Sequence, residues 1–333
     1  SKTFYEASFR LYPSENYRIA GEKVYSAVLY SKNHRPSQIS IVFINKGDYV
    51  SGWDKVDQRE ERIEGFSDDV EKTAENLIER FTRGVGEPEK SRFGKGGELE
   101  DTMYRWDWRG HSLLLAVQDE YVRLLIVPVE LADNRGRIRQ LKDVEVQAQL
   151  EKRVLHRKNG DVIIDQMPMA DQGNKGYCSP ATCERFLRYF GIQIDMYALA
   201  RVAKTGFGGG TYSSPMLKAV DDIARSNRRD FKRVSTKPDA DDLDKYIDKG
   251  IPVMWAVYSD NVLYKKTITK RTRKRQKVDS LKSWRQIIED ANKRAEEIEI
   301  SRTGIHICMI IGYNEETEEI ATSDSWGPQY EER

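Results

Sequence analysis

Two continuous apolar runs, at 251–258 and 305–313, constrain the fold of this chain most strongly. Their length and their β-branched residues predict strands that are buried on both faces. Apolar residues at helical spacing come before both runs, in the stretch that begins after Cys178 and closes at Gly191. Because helices come first and strands later in this half of the chain, we predict the α+β fold class.

The 333 residues are long enough for two domains, each with its own core. We predict that residues 1–131 form a small α+β domain of unknown role and that residues 132–160 form a charged linker. Residues 161–333 are predicted to form a second domain. In the first domain we expect a helix to begin at an N-cap among residues 67–69, and the stretch 84–97, rich in glycine and charge, to be a loop. Alternating apolar and polar residues predict strands at 24–30, 38–44, 103–108, 112–117 and 121–127.

The charge balance and the cysteine content exclude several classes of protein. With 55 Lys and Arg against 54 Asp and Glu, the net charge of +1 argues against a surface built as a whole to hold nucleic acid or acidic lipid. No apolar run approaches the ~18 residues of a transmembrane helix, so we expect no membrane span. The three cysteines, at 178, 183 and 308, are too few for a disulfide framework and form no Cys-x-x-Cys pair that would suggest zinc. We expect neither a metal nor another cofactor.

The sequence leaves the cell compartment open. A few thiols fit a reducing cytoplasm, but an exported protein can also carry them. Because the chain begins at Ser1 rather than at methionine, removal of an N-terminal signal is one expectation. The oligomeric state is not indicated either.

Cys178 has the surroundings that thiol catalysis requires. It follows a glycine-containing loop and directly precedes the predicted helix, whose positive N-terminal end favours a thiolate. Gln172 lies shortly upstream, where its side-chain amide can point at the same spot and donate to an oxyanion. His306 opens the second apolar run and Asp324 follows the next predicted strand. An antiparallel pair of strands that turns at 314–316 would place these two side by side, so that the carboxylate orients the imidazole.

Three motifs resemble those of the papain-like cysteine peptidases. They are Gln172-Gly173 with Gly176-Tyr177-Cys178, Gly304-Ile305-His306 leading to Ile311-Gly312-Tyr313, and Asp324-Ser325-Trp326-Gly327. The resemblance covers roughly residues 160–333 and implies a papain-like domain with a helical half and an antiparallel sheet half. It also implies four roles: Gln172 in the oxyanion hole, Cys178 as nucleophile, His306 as catalytic base and Asp324 as its partner.

The details are most similar to a bacterial branch that includes peptidases removing double-glycine leaders from secreted peptides. These details are Asp rather than Asn at position 324 and the segment 250–253. An apparent charged insertion at 259–302, once removed, leaves Cys178 and His306 at the compact separation of that branch. The resemblance implies a cysteine peptidase that hydrolyses peptide bonds of a peptide or protein substrate through a Cys-His-Asp triad and an acyl-enzyme. Ser179-Pro180-Ala181 departs from the common family sequence after the cysteine.

Five further residues are predicted to bind substrate, namely Gly176, Tyr177, Gly209, Gly210 and Trp326. Small residues in a groove wall let an extended peptide approach the backbone, although a plain flexible turn explains the glycine loop equally well. The resemblance implies that Trp326 covers the His–Asp pair from water; the alternative is a core tryptophan.

The run 265–277 carries eight Lys and Arg and no acid. It lacks the interleaved aromatic residues that stack on bases, so we do not expect nucleic acid as a partner. We interpret the run as a solvated or substrate-steering hairpin.

Two alternative functions stay open on the sequence alone. A transglutaminase-like acyl transferase would use the same Cys, His and Asp and pass the acyl group to an amine. A non-catalytic binding or adaptor protein would use the papain-like half as a scaffold. A subsidiary hypothesis is that residues 1–131 fold over the groove and inhibit it, as a pro-segment does.

Overall fold

The computed structural model of the chain combines helices with antiparallel sheets, which confirms the α+β class. The structure describes residues 6–14, 16–32, 35–50, 56–94, 99–138, 141–211, 213–234, 239–258, 266–275, 277–278, 280–297 and 304–333.

The strands are β1 Glu6–Leu11, β2 Arg18–Ile19, β3 Glu22–Lys23, β4 Ser26–Lys32, β5 Arg35–Asn45, β6 Glu89–Gly94, β7 Glu100–Trp108, β8 His111–Val117, β9 Tyr121–Pro128, β10 Val154–His156, β11 Val162–Ile164, β12 Val253–Tyr258, β13 Ile305–Asn314 and β14 Glu319–Ser323. The α-helices are α1 Lys46–Tyr49, α2 Val56–Val85, α3 Val129–Asp133, α4 Asp143–Glu151, α5 Cys178–Tyr189, α6 Met196–Val202, α7 Ser213–Ser226, α8 Ala240–Ile247, α9 Ile268–Arg275 and α10 Leu281–Glu296.

The chain divides into two units, each discontinuous in sequence. The first contains Ser1–Gln140 and Gln172–Phe231, and the second contains Leu141–Asp171 and Lys232–Arg333. These units cross the boundaries expected from the sequence. Because compactness does not tell which segments fold independently, the division into 1–131, 132–160 and 161–333 stays a prediction.

The first unit is built on a seven-stranded antiparallel sheet in the order β1-β4-β5-β9-β8-β7-β6. Helix α2 contributes Phe66 and Leu77 to a buried core that also contains Trp106 and Leu124 of the sheet. Each large apolar side chain buried there stabilises the fold by ~1.5–3 kcal/mol. The same unit contains α5, α6 and α7, so the helix that begins at Cys178 belongs to it.

Two expectations for this region are wrong. Helix α2 begins at Val56 rather than at an N-cap among residues 67–69, because Ile63 and Phe66 extend its apolar stripe toward the N-terminus. The stretch 84–97 is not wholly a loop, because β6 lies within it and pairs with β7. As β6 is an edge strand, its charged residues face solvent and make its composition resemble that of a loop.

The second unit is built on a five-stranded antiparallel sheet with β13 at its centre. β13 pairs with β11, β12 and β14, and its residues Cys308, Met309, Ile310 and Ile311 are buried. The apolar run 305–313 is therefore a buried strand, as its composition predicts. The run 251–258 contains β12, but the expectation that this strand is buried on both faces is wrong: its residues are half-buried or exposed, because β12 lies at an edge of the sheet. The expected linker adds to this unit, because β10 pairs with β11.

The basic run 265–277 does not form the expected hairpin, because its residues 268–275 form helix α9. Residues 265 and 276 lie outside the described residues. Lys and Arg are good helix formers, and a helix places Arg271 and Arg275 one turn apart. Arg271 pairs with Glu319 at 4.0 Å and Arg275 pairs with Asp161, so one face of α9 is neutralised.

Candidate active site

Cys178 is the first residue of α5 and lies in the first unit. Its side chain is partly buried, whereas Cys183 and Cys308 are completely buried. Burial also raises the pKa of the Cys183 thiol to about 12. Of the three cysteines, Cys178 is therefore the one whose position suits reaction with a substrate.

The segment before Cys178 is fixed by backbone contacts with the glycine loop at 206–210. The Gly176 N–H donates to the Gly208 carbonyl at 2.9 Å, and the Gly210 N–H donates to the Gly176 carbonyl at 3.2 Å. Gly209 has a φ of +115°, and a Cβ there would lie 2.2 Å from the Gly176 Cα. Only glycine fits at position 209, because any side chain there would collide with Gly176. The hydrogen bonds and this close approach fix the segment that leads to Cys178.

Gln172 and Tyr177 are both buried within the first unit. The Gln172 side-chain amide donates to the Lys175 carbonyl at 2.8 Å. The Tyr177 hydroxyl donates to Oε1 of Glu120 at 2.5 Å. The Tyr177 side chain therefore packs inside the unit and cannot line a groove, contrary to the sequence expectation, whereas Gly176 and Gly210 are exposed.

His306 and Asp324 lie together in the second unit. His306 is the second residue of β13 and Asp324 directly follows β14, so the antiparallel pairing of these strands brings the two side chains together. Nε2 of His306 lies 2.6 Å from Oδ1 of Asp324, and both side chains are buried. A carboxylate beside Nε2 accepts a hydrogen bond from the Nε2–H, which leaves Nδ1 as the basic nitrogen of the neutral ring.

Arg333 donates to the second oxygen of the same carboxylate, Oδ2 of Asp324. Its backbone is fixed beside β14, because its N–H and carbonyl both pair with Thr322, at 2.9 and 2.8 Å. Burial alone raises the pKa of Asp324, but the hydrogen bond from His306 and the charges of His306 and Arg333 outweigh it. The pKa of Asp324 therefore lies below its ordinary value, and the carboxylate is charged at neutral pH.

Trp326 covers the imidazole. Its ring stacks on His306, with centroids 4.2 Å apart and planes inclined by 23°. Tyr330 meets Trp326 edge-on at 5.7 Å, and Arg333 lies over the Trp326 ring at 5.5 Å. The hydrogen bond between His306 and Asp324 is thus shielded by aromatic surface, and shielding from water strengthens such a bond.

The structure brings His306, Asp324 and Trp326 together in one unit, and it brings Gly176 and Gly209 together in the other. Gln172, Tyr177, Cys178 and Gly210 also lie in the first unit. The pairing of Cys178 with His306 stays a prediction.

Sequence reasoning missed Arg333, Glu120 and Lys175. No motif marks an arginine or a glutamate whose partner is distant in the chain. A weak signal existed for Lys175 alone, since it stands within the motif that leads to Cys178.

Among the described residues, no group of three or more His, Cys, Asp or Glu side chains is arranged to hold a metal ion. In the same part of the chain, no helix combines the length and apolar character needed to cross a membrane.

Comparison with known families places the chain in the papain-like cysteine peptidase superfamily. The chain belongs to the family described as Peptidase_C39 like family, whose sequence profile matches residues 163–333, about half of the chain. This membership indicates cysteine peptidase activity at the level of the family. Neither the curated proteins nor the solved structures contain a match to the chain.

Proposed function

We propose that the protein is a cysteine peptidase that hydrolyses peptide bonds through Cys178, His306 and Asp324. The observation that carries the proposal is the buried contact of 2.6 Å between Nε2 of His306 and Oδ1 of Asp324. It occurs in a chain of a peptidase family, with a partly exposed cysteine at a helix N-terminus. Imidazole, carboxylate and thiol are the three groups that nucleophilic thiol catalysis requires.

The first half of the proposed reaction forms a thioester. Nδ1 of His306 takes the thiol proton, and Sγ of Cys178 attacks the carbonyl carbon of the peptide bond. The backbone N–H of Cys178 and the amide of Gln172 hold the oxyanion. When the C–N bond breaks, His306 returns the proton to the leaving amine, and the acyl group stays on sulfur.

The second half releases the acid. His306 removes a proton from water, whose oxygen attacks the thioester carbonyl, and the C–S bond breaks to restore the Cys178 thiolate and imidazolium. Asp324 stays ionised throughout and stabilises the imidazolium. Its lowered pKa supports this role, because a carboxylate that stays charged orients the imidazole at neutral pH.

Substrate binding at Gly176, Gly210 and Trp326 is part of the proposal. The exposed backbones of Gly176 and Gly210 carry no side chain, which lets an extended peptide approach them closely. Trp326 supports the proposal through its stack on His306, which excludes water from one face of the imidazole.

The test is peptide release from a peptide library by the full chain, compared with Cys178→Ala and His306→Ala. Each substitution should reduce the rate about a thousandfold or more, because triad members act as a unit. Adding a primary amine distinguishes hydrolysis from transfer. Free acid as the main product supports the peptidase, whereas amide product would indicate an acyl transferase. Equal rates for wild type and Cys178→Ala would contradict both.

A further inference from the structure

The loop that leads to Cys178 is held by charged and polar groups of helix α1 and of the turn between β8 and β9, all within the first unit. The side chain of Lys175 is completely buried, and its Nζ lies 2.9 Å from Oδ2 of Asp48. Asp48 is itself fixed, because the Asn45 side chain donates to Oδ2 at 2.9 Å and accepts from the Asp48 N–H at 3.0 Å. A buried ammonium is costly unless it is paired, so this contact determines where Lys175 lies.

A second contact holds the residue next to the nucleophile. Glu120, in the turn between β8 and β9, is buried and accepts from the Tyr177 hydroxyl at 2.5 Å. Nζ of Lys46 lies 3.4 Å from the other Glu120 oxygen, and the Lys46 N–H donates to the Glu120 carbonyl at 3.0 Å. Burial raises the pKa of Glu120 to about 7, against the hydrogen bond from Tyr177 and the charge of Lys46. A buried carboxyl group with a strongly raised pKa is more typical of a functional site than of a structural core.

A third connection runs through the backbone. The Lys46 carbonyl accepts from the Gly208 N–H at 3.1 Å, and the Gly208 carbonyl accepts from the Gly176 N–H at 2.9 Å. Helix α1 packs closely on the same segment, since a Cβ at Gly47 would lie 2.5 Å from the Tyr177 ring. Helix α1 and the turn between β8 and β9 therefore hold Lys175, Gly176 and Tyr177.

Lys175 and Tyr177 hold the two residues whose groups are assigned to the oxyanion, Gln172 and Cys178. The Lys175 carbonyl is the acceptor of the Gln172 amide, so the position of Lys175 determines the position of that donor. Tyr177 is the N-cap of α5, and its carbonyl accepts from the Ala181 N–H at 2.9 Å. Its position determines the direction of the Cys178 N–H.

We propose that Asp48 and Glu120 are positioning residues of the peptidase, which act through Lys175 and Tyr177 to aim the two oxyanion donors at the substrate carbonyl. Residues 1–131, which the sequence predicts to be a separate domain, then contribute to catalysis by positioning the oxyanion donors. This proposal rests on the proposed function.

The test measures kcat and KM for peptide hydrolysis by the full chain, together with the rate of Cys178 alkylation by iodoacetamide. Alkylation forms no oxyanion, so a positioning role predicts a fall in kcat of about tenfold or more at unchanged KM, with the alkylation rate preserved. The variants are Tyr177→Phe, Glu120→Leu and Asp48→Leu. Glu120→Gln, which retains an acceptor for the Tyr177 hydroxyl, should recover most of the lost kcat.

Tyr49→Phe is the matched control, because Tyr49 also donates to a carboxylate, Asp69, at 2.5 Å within the same unit. It should lose a similar amount of thermal stability and retain kcat. If Tyr177→Phe and Glu120→Leu lower kcat no more than Tyr49→Phe does, the proposal is wrong. If Tyr177→Phe does not fold, the comparison of Glu120→Gln with Glu120→Leu decides the same question. An inactive wild-type chain, with Cys178 alkylated no faster than in His306→Ala, would instead contradict the proposed function itself.

Discussion

Arg333 donates a hydrogen bond to Asp324, on the carboxylate oxygen opposite the one that lies 2.6 Å from Nε2 of His306. One carboxylate thus joins an imidazole to a guanidinium, and all three side chains are buried. Because Arg333 binds the oxygen that His306 leaves free, it helps to fix the carboxylate, and it adds to the lowering of the Asp324 pKa that begins with His306.

Arg333→Met should lower the free energy of unfolding by about 3 kcal/mol at pH 7, because it leaves a buried carboxylate with one partner fewer. The folded-state pKa of Asp324 is depressed, so its contribution is present above the ordinary pKa of ~3.9 and is lost as pH falls through the lower folded value. The difference between wild type and variant should therefore shrink below about pH 4, as measured by urea unfolding. Arg294→Met, at an exposed arginine of α10, is the control and should change stability little at either pH.

Trp326→Ala should lower kcat/KM about tenfold, because water would reach the imidazole and weaken its bond to Asp324. Trp326→Phe, which keeps an aromatic ring against His306, should retain most of the activity. The matched control is Trp108→Ala at a half-exposed tryptophan of the first sheet. Equal activity in all three variants would show that the stack on His306 has no role in the reaction.

Gly209→Ala should destabilise the protein by about 3 kcal/mol, since its Cβ would meet the Gly176 backbone at 2.2–2.6 Å and its φ is +115°. Gly110→Ala separates the two causes: Gly110 has a φ of +80° with no atom within 4 Å of its Cβ position. It should cost about 1 kcal/mol. Thermal unfolding of both variants provides the measurement, and equal losses would mean that the contact with Gly176 is relaxed without cost.

Removing residues 1–131 should abolish activity rather than release it. Helix α5 carries Glu184 and Arg188, both completely or almost completely buried, and their partners Arg10 and Ser8 lie on β1. Loss of such partners costs about 3–5 kcal/mol for one ion pair, a large share of the stability of a domain. Circular dichroism and peptide hydrolysis of a 132–333 fragment test this. A folded fragment that is more active than the full chain would favour the pro-segment hypothesis.

Sequence patterns predict a helix or strand correctly where the spacing of its own apolar residues indicates which of its faces are buried. The run 305–313 predicts a buried strand because its residues are almost all apolar, so both faces of the strand are apolar. In the strands of the first sheet, apolar and polar residues alternate, which predicts strands with one buried face. The contact between His306 and Asp324 was also within reach, since it needs only two adjacent antiparallel strands.

The remaining features depend on contacts between distant segments. The start of α2 at Val56 follows from packing on a sheet whose position no local pattern indicates. The partners of Lys175 and Tyr177 lie far earlier in the chain, on helix α1 and in the turn between β8 and β9, and a lone Asp48 or Glu120 resembles any surface acid in the sequence. Arg333 has no motif, because an ion pair requires proximity and not a spacing in sequence.

The most direct test of the catalytic triad is the second-order rate constant for alkylation of each cysteine by iodoacetamide at neutral pH, followed by mass spectrometry. Cys178 should react at least about tenfold faster in wild type than in His306→Ala, because an imidazole that takes the thiol proton supplies the reactive thiolate. Cys183 and Cys308, which are completely buried, should stay unlabelled in the folded protein. Equal alkylation of Cys178 with and without His306, or labelling of Cys183 at the same rate, would contradict the triad.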